Sequence, residues 1–355
     1  EQESREEFLA SRGTDAQELL NLLQDLLDLD SFNVVKPLIW KTLMRLSRLS
    51  DLHPRCFTLP GLQKIGDQVD GGGFGDIWKG LVRGQSVCVK IMRIFREEDL
   101  TAVLKKFGRE ALIWRQLCHP NLLPFFGVYY TEKRLCLVSP WMESGNVMQY
   151  LRKQSPDINR CLSLILDVAF GLQYLHEKNV VHGDLKAINI LVTPSGRACI
   201  CDFGLSSVVS EITLRLHSTT TAKGGTVRYY APELFQENKK HFGSDVYAFA
   251  CVCSEMLSGH IPFHDSPNDA AVMFKIIKGG HPTRPPICFG TSQLDCLWAL
   301  LQDCWGGEAS MRPTASQIIE RLVEPSIGAT TTSSTTDWDD TFTCKFRRSL
   351  QDRPL

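Results

Sequence analysis

The chain has 355 residues, more than one ordinary domain of about 100–200, and its formal net charge of -1 gives no global attraction for nucleic acid or an anionic membrane. Its thirteen cysteines lack paired Cys-x-x-Cys spacing, and Cys136, Cys161, Cys251 and Cys253 sit in apolar runs, so they read as reduced, buried thiols rather than a zinc site or disulfide framework. No stretch approaches the ~18 apolar residues of a membrane span and the start Glu1-Gln2-Glu3-Ser4 is acidic, so a cytoplasmic location is expected, with the nucleus as alternative.

From Asp15 to Leu29 leucine pairs recur at helical spacing behind Thr14, which predicts an amphipathic helix with Thr14 as its N-cap. Pro37 opens a second helical run, Leu38 to Leu49, with Ile39, Leu43, Leu46 and Leu49 set among Lys41, Arg45 and Arg48. Residues 1–60 thus read as a helical extension. It is either a regulatory or dimerising element that meets a partner, or a cover for apolar surface.

A glycine-rich stretch follows, Asp70-Gly71-Gly72-Gly73-Phe74-Gly75-Asp76-Ile77. Residues without a Cβ let backbone N–H groups approach phosphate oxygens closely. Val87-Cys88-Val89-Lys90 alternates as a strand that carries a lysine. The helical run Lys105 to Trp114 carries Glu110 and ends before His119-Pro120-Asn121. Leu135-Cys136-Leu137-Val138 reads as a buried strand, followed by Ser139-Pro140-Trp141-Met142.

The densest chemistry lies in Val181-His182-Gly183-Asp184-Leu185-Lys186-Ala187-Ile188-Asn189 and, shortly after, Asp202-Phe203-Gly204. Together they offer a base and two hard oxygen donors from adjacent loops. Downstream stand Ala231-Pro232-Glu233, Ser244-Asp245-Val246-Tyr247 and Met311-Arg312-Pro313. Ser326 to Asp337 is rich in serine and threonine and lacks apolar periodicity, so disorder is expected over 326–355.

Six motifs in this order, spanning Leu62 to Val323, resemble the protein kinase superfamily. The wording Trp114-Arg115-Gln116-Leu117-Cys118-His119-Pro120-Asn121 is most similar to the tyrosine-kinase-like branch of serine/threonine kinases. The resemblance implies an α+β, bilobal fold: a small antiparallel-sheet N-lobe with one main helix and the hinge over 61–142, and a larger, mostly helical C-lobe over 143–325. It implies ATP and Mg²⁺, with protein serine or threonine hydroxyls as substrates. By that resemblance Asp184 is the base and Lys186 steadies the transferred phosphate, while Asn189 and Asp202 hold Mg²⁺. Lys90 holds the α and β phosphates and pairs with Glu110. Gly71, Gly72, Gly73, Phe74 and Gly75 cover the phosphates, and Ile77, Val87, Ser139 and Met142 line the nucleotide site.

The resemblance also implies structural roles. His182, Phe203, Trp114 and Phe125 fall where the family stacks a regulatory column anchored by Asp245, and Glu233 is expected to pair with Arg312 in a buried ion pair. Two positions depart from the pattern. Asp70 stands where the first glycine belongs, and Gly183 replaces the arginine with which many kinases grip a phosphorylated activation segment. Weak dependence on phosphorylation of the hydroxyl-rich stretch Ser206 to Thr226 is the expectation. The same departures favour the alternative, a pseudokinase or scaffold with little catalysis; a small-molecule kinase is disfavoured by Ala231-Pro232-Glu233, Asp245 and Arg312.

Overall fold

The computed structural model describes residues 8–27, 35–52, 54, 61–72, 75–91, 111–131, 134–155, 157–202, 207–208, 226–236, 241–286, 292–331, 336–339, 342–343 and 346. They form two compact units, and the chain crosses between them more often than a single hinge predicts. Residues 119–123 and everything from Met142 to Asp339 belong to the second unit; residues up to Cys118, 124–141 and those from Asp340 onward belong to the first.

The first unit is built on a five-stranded antiparallel sheet in the order β1-β2-β3-β5-β4. Its strands are β1 (Gln63–Gly72), β2 (Gly75–Val82), β3 (Gln85–Ile91), β4 (Gly127–Thr131) and β5 (Arg134–Pro140). Alternation makes β3 a strand: Val87, Val89 and Ile91 point into the core, while Lys90 faces the other way and is half-buried. The β2–β3 hairpin turns on Arg83 at φ 48° and Gly84 at φ 82°, the positive pair that matches strand twist in a two-residue loop. At Gly80 a Cβ would lie 3.1 Å from the Gln63 carbonyl and from Val89 Cγ2, so glycine lets the strands close up.

Helices α1 (Gly13–Leu27) and α2 (Lys36–Ser50) pack against each other in the same unit. They bury Ala16, Leu20, Leu23 and Leu27 from α1 and Leu43, Met44 and Leu46 from α2. Thr14 lies inside α1 rather than capping it, because the helix opens one residue earlier at Gly13, and α2 takes Pro37 in its first turn. Gln24, fully buried, accepts a hydrogen bond at 2.9 Å from Gln116, just beyond the helical residues 111–115. The extension is therefore docked on the unit that carries the sheet.

The second unit is mostly helical: α3 (Val147–Lys153), α4 (Ile158–Glu177), α5 (Glu233–Gln236), α6 (Phe242–Ser258), α7 (Asp269–Ile277), α8 (Ser292–Cys304) and α9 (Ala315–Val323). Capping boxes at Asn146 and Thr314 open α3 and α9. Against the expectation that no stretch approaches a membrane span, helix α4 is long and apolar enough to cross one, but its apolar residues, among them Leu162, Ile165, Leu172 and Leu175, are buried in this unit. A Cβ at Gly171 would meet the Asn121 carbonyl at 2.7 Å, which is how α4 packs against residues 119–123. Short two-stranded ladders, β6 (Val180–Val181) with β9 (Ser207–Val208) and β7 (Ile190–Val192) with β8 (Ala198–Ile200), frame the loop between β6 and β7.

The expectation of disorder over 326–355 is corrected for the described part of that segment. Ile327, Ala329, Trp338 and Phe346 are all buried. Each fills a separate site on an existing surface, so no apolar period announces them.

Candidate active site

The loop after β6 is fixed by one buried carboxylate. Asp245, in the first turn of α6 and 1% exposed, accepts the backbone N–H of His182 at 2.8 Å and that of Gly183 at 2.8 Å. The His176 ring, at the end of α4, lies 3.1 Å from the same carboxylate. Burial alone would push this carboxyl up, but the hydrogen bond and charge of His176, the charge of His182 and the Gly183 N–H outweigh it and hold it below the usual range. Turning two consecutive N–H groups toward one acceptor puts Gly183 at φ 74°, a conformation glycine adopts without steric cost. The residue that departs from the family pattern is thus relaxed in its place.

Next along the loop, Asp184 is buried, and Lys186 donates to its Oδ2 at 2.8 Å. Asn189 ends the turn Ala187–Asn189 and donates its amide to the Asp184 carbonyl at 2.9 Å and to Oδ2 at 3.5 Å. Both donations use the amide nitrogen, which leaves Oδ1 as the acceptor atom of the Asn189 side chain. The structure therefore brings Asp184, Lys186 and Asn189 into one hydrogen-bonded group.

Asp202 is tied to that group through its neighbour. Cys201 donates its N–H to the Asn189 carbonyl at 2.9 Å, and its own carbonyl lies 3.1 Å from His182 Nε2. Asp202 itself sits at φ 66°, a left-handed conformation that aspartate tolerates better than most residues and that re-aims the chain directly after the anchored cysteine. Asp184 also lines a shallow cleft with Thr226, Tyr230 and Leu234. Burial, then the Asp184 charge, raises the Tyr230 phenol, keeping it neutral beside the carboxylate.

The frame around the cleft is charged and closed. Arg312 binds Glu233 through both guanidinium nitrogens at 2.8 Å, and it also donates to the carbonyls of Gly306 at 2.7 Å and Gly243 at 2.8 Å. Burial opposes ionisation of Glu233, yet the bonds from Arg312 and Ser244 hold its carboxyl below the usual range. The expected pair is present. No sequence pattern announces Ser244 as a further donor to Glu233, His176 as a partner of Asp245, or the buried bond between the Tyr229 hydroxyl and Glu255.

In the sheet of the first unit, Lys90 pairs in register with Ile77 on β2 and Leu137 on β5, and Val87 pairs with Pro140. Ser139 is buried opposite Cys88, and Met142 is buried in the second unit. Gly71, Gly72 and Gly75 form the facing ends of β1 and β2, with Gly72 opposite Gly75. Gly73, Phe74, Glu110, Phe203 and the hydroxyl-rich stretch from Ser210 to Thr221 lie outside the described residues. Of the expected column, Trp114 packs on Phe125 with ring centroids 5.1 Å apart in the first unit, and His182 is bonded to Asp245 in the second.

Residues 63–322 match the family described as protein tyrosine and serine/threonine kinase. The chain is 32% identical over 265 residues to the serine/threonine-protein kinase STY46 of Arabidopsis thaliana, which covers 74% of this chain and 44% of that protein. It is 31% identical over 265 residues to the serine/threonine/tyrosine-protein kinase HT1 of the same plant, covering 73% of this chain and 65% of that one. Over 256 residues it is 32% identical to the dual specificity protein kinase shkC of Dictyostelium discoideum, covering 71% and 49%. The chain thus spans about half the length of the curated relatives it matches.

Proposed function

The chain belongs to the protein tyrosine and serine/threonine kinase family, with its tyrosine-kinase-like branch, and from that premise we propose that it is an ATP-dependent kinase of protein serine and threonine hydroxyls. The observation that carries this reading is the buried Asp184 carboxylate with Lys186 at 2.8 Å and the Asn189 amide at 2.9 Å from its carbonyl. Protein kinases use such a carboxylate to accept the substrate proton.

In the proposed reaction a serine or threonine hydroxyl donates its hydrogen bond to Asp184. As its oxygen bonds the γ-phosphorus and the bond to ADP breaks, Asp184 takes the proton and Lys186 offsets charge on the phosphoryl group. Asn189 Oδ1 and the Asp202 carboxylate are the donors that would hold Mg²⁺, which when bound neutralises phosphate oxygens. Two hard oxygen ligands fit that ion, since its remaining positions go to waters and substrate phosphates. Lys90, paired with Glu110, takes the α and β phosphates in this reading. The backbone of Gly71, Gly72, Gly73, Phe74 and Gly75 covers them, and Ile77, Val87, Ser139 and Met142 take the adenine.

Protein substrates, a partner at the N-terminal helices and a cytoplasmic setting belong to the same proposal. Leu22 on α1 and Leu38 on α2 are more than half exposed and offer that partner apolar contact. The buried thiols Cys251 and Cys253 suit a reducing compartment. The test is transfer of labelled γ-phosphate to a basic protein, followed by phosphoamino-acid analysis, in wild type and Asp184→Asn. Phosphoserine and phosphothreonine formed by wild type alone support the kinase. ATP binding without transfer by either protein points instead to a scaffold.

A further inference from the structure

The family match ends at residue 322, and the chain continues into contacts that the proposed chemistry does not use. In the second unit, the Asp337 carboxylate accepts the backbone N–H of Ser195 at 3.1 Å and also its hydroxyl. Ser195 stands in the turn between β7 and β8. Trp338, 5% exposed, donates its indole N–H to the His119 carbonyl at 3.0 Å.

A few residues later the chain reaches the first unit. Phe346 stacks on Phe126 with ring centroids 3.7 Å apart and planes at 16°, and Phe342 meets the same ring at 5.9 Å. Phe342 and Phe346 are each helical, and both rings meet Phe126. Phe126 is fully buried beside Val87, Val89, Cys136 and Val138, the core side of the sheet. Thr343 lies between the two rings in sequence and is 8% exposed.

We propose that Asp337, Trp338, Phe342 and Phe346 form a self-docked strap whose aromatic hook fills a socket at Phe126, and that Thr343 is a phosphorylation site whose modification frees the hook. The hook is held by ring packing and the strap by two polar anchors, so it can leave without unfolding either unit. A phosphate adds a charge of about -1.5 to -2, and seating it against Phe342 and Phe346 takes that charge out of water, which opposes the ring contacts of the docked strap. Docked Thr343 is shielded. Modification therefore takes place on the detached strap and holds it detached, a shift of population rather than a push. The step joins Thr343 Oγ to the γ-phosphorus of ATP and breaks the bond to ADP, and the hydroxyl proton passes to the carboxylate base of the modifying kinase.

The inference does not depend on the catalytic reading, and its test needs no activity from this chain. Tryptic cleavage at Lys345, Arg347 and Arg348 and hydrogen exchange over β4 and β5 are followed in the full chain, for wild type, Phe346→Ala, Thr343→Glu and Thr343→Val. Phe346→Ala and Thr343→Glu are expected to raise cleavage about tenfold or more, with Thr343→Val near wild type and exchange over α6 unchanged. With an added serine/threonine kinase and ATP, Thr343 should take phosphate faster in Phe346→Ala than in wild type. The socket is overturned if Phe346→Ala stays protected. The switch is overturned if Thr343→Glu stays protected, if Thr343→Val opens equally, or if Thr343 takes no phosphate even in Phe346→Ala.

Discussion

The loop at residues 182–189 and the strap at 337–346 are fastened by different physics. In the loop, one carboxylate, Asp245, serves two consecutive backbone N–H groups and His176, all in a buried setting. In the strap, ring packing on Phe126 does most of the holding, with two polar anchors at Ser195 and His119. Removing one partner of a buried charged network orphans the others together, whereas ring contacts weaken in proportion to the area they cover. On the two proposals above, the contrast separates a loop that must stay in place for chemistry from a strap that detaches.

The largest effect should come from breaking the loop's fastening. Asp245→Ala leaves the N–H groups of His182 and Gly183 without their acceptor and should cost about 3–5 kcal/mol in urea denaturation. Arg312→Ala strands Glu233 and removes donors to the Gly243 and Gly306 carbonyls, with a similar expected cost of about 3–5 kcal/mol. A cost below about 1 kcal/mol for Asp245→Ala, the size of an ordinary surface change, would erase the contrast with the strap.

Acid should sharpen the comparison, because different groups fail at different pH. Asp245 and Glu233 are held below their unfolded values of 3.8 and 4.5, so their stabilisation is present above those values and fades as pH falls further. His119, whose carbonyl anchors Trp338, is pushed from 6.5 down to about 4, by burial first and then by Arg197. It is neutral in the fold and gains a proton more readily when unfolded. Its share of stability is therefore full above 6.5 and is lost as pH falls toward 4. A loss of ~1–2 kcal/mol between neutral pH and pH 5 is expected, and it should flatten in His119→Asn. Thermal scans across that range measure it.

How much the sequence disclosed follows from how local each feature is. The grouping of Asp184, Lys186 and Asn189 was legible because the three lie within a few positions of one another, and the structure joins them by direct hydrogen bonds. The N-terminal helices were legible from leucine spacing, with a start displaced because Gly13 rather than Asp15 opens α1. Glu233 and Arg312 were paired by the resemblance, though 79 residues separate them. The strap was not legible. Asp337 finds Ser195 across 142 residues and Trp338 finds His119 across 219, and neither leaves a periodic trace in a stretch dominated by serine and threonine. That residues 119–123 belong to the second unit was not legible for the same reason. Residues 119–123 join the second unit through the Leu123 N–H bonded to the Ile200 carbonyl at 2.9 Å and the Asn121 side chain bonded to the Ala198 carbonyl at 2.9 Å.

The loop's chemical role is tested most directly by kcat and the KM for ATP in wild type and Asp184→Asn, with urea stability measured beside them. If Asp184 is the base, kcat falls about 10²–10⁴-fold, while KM and stability stay close to wild type. Transfer retained within about tenfold would remove Asp184 from the chemistry and contradict the assignment of this loop as the catalytic centre.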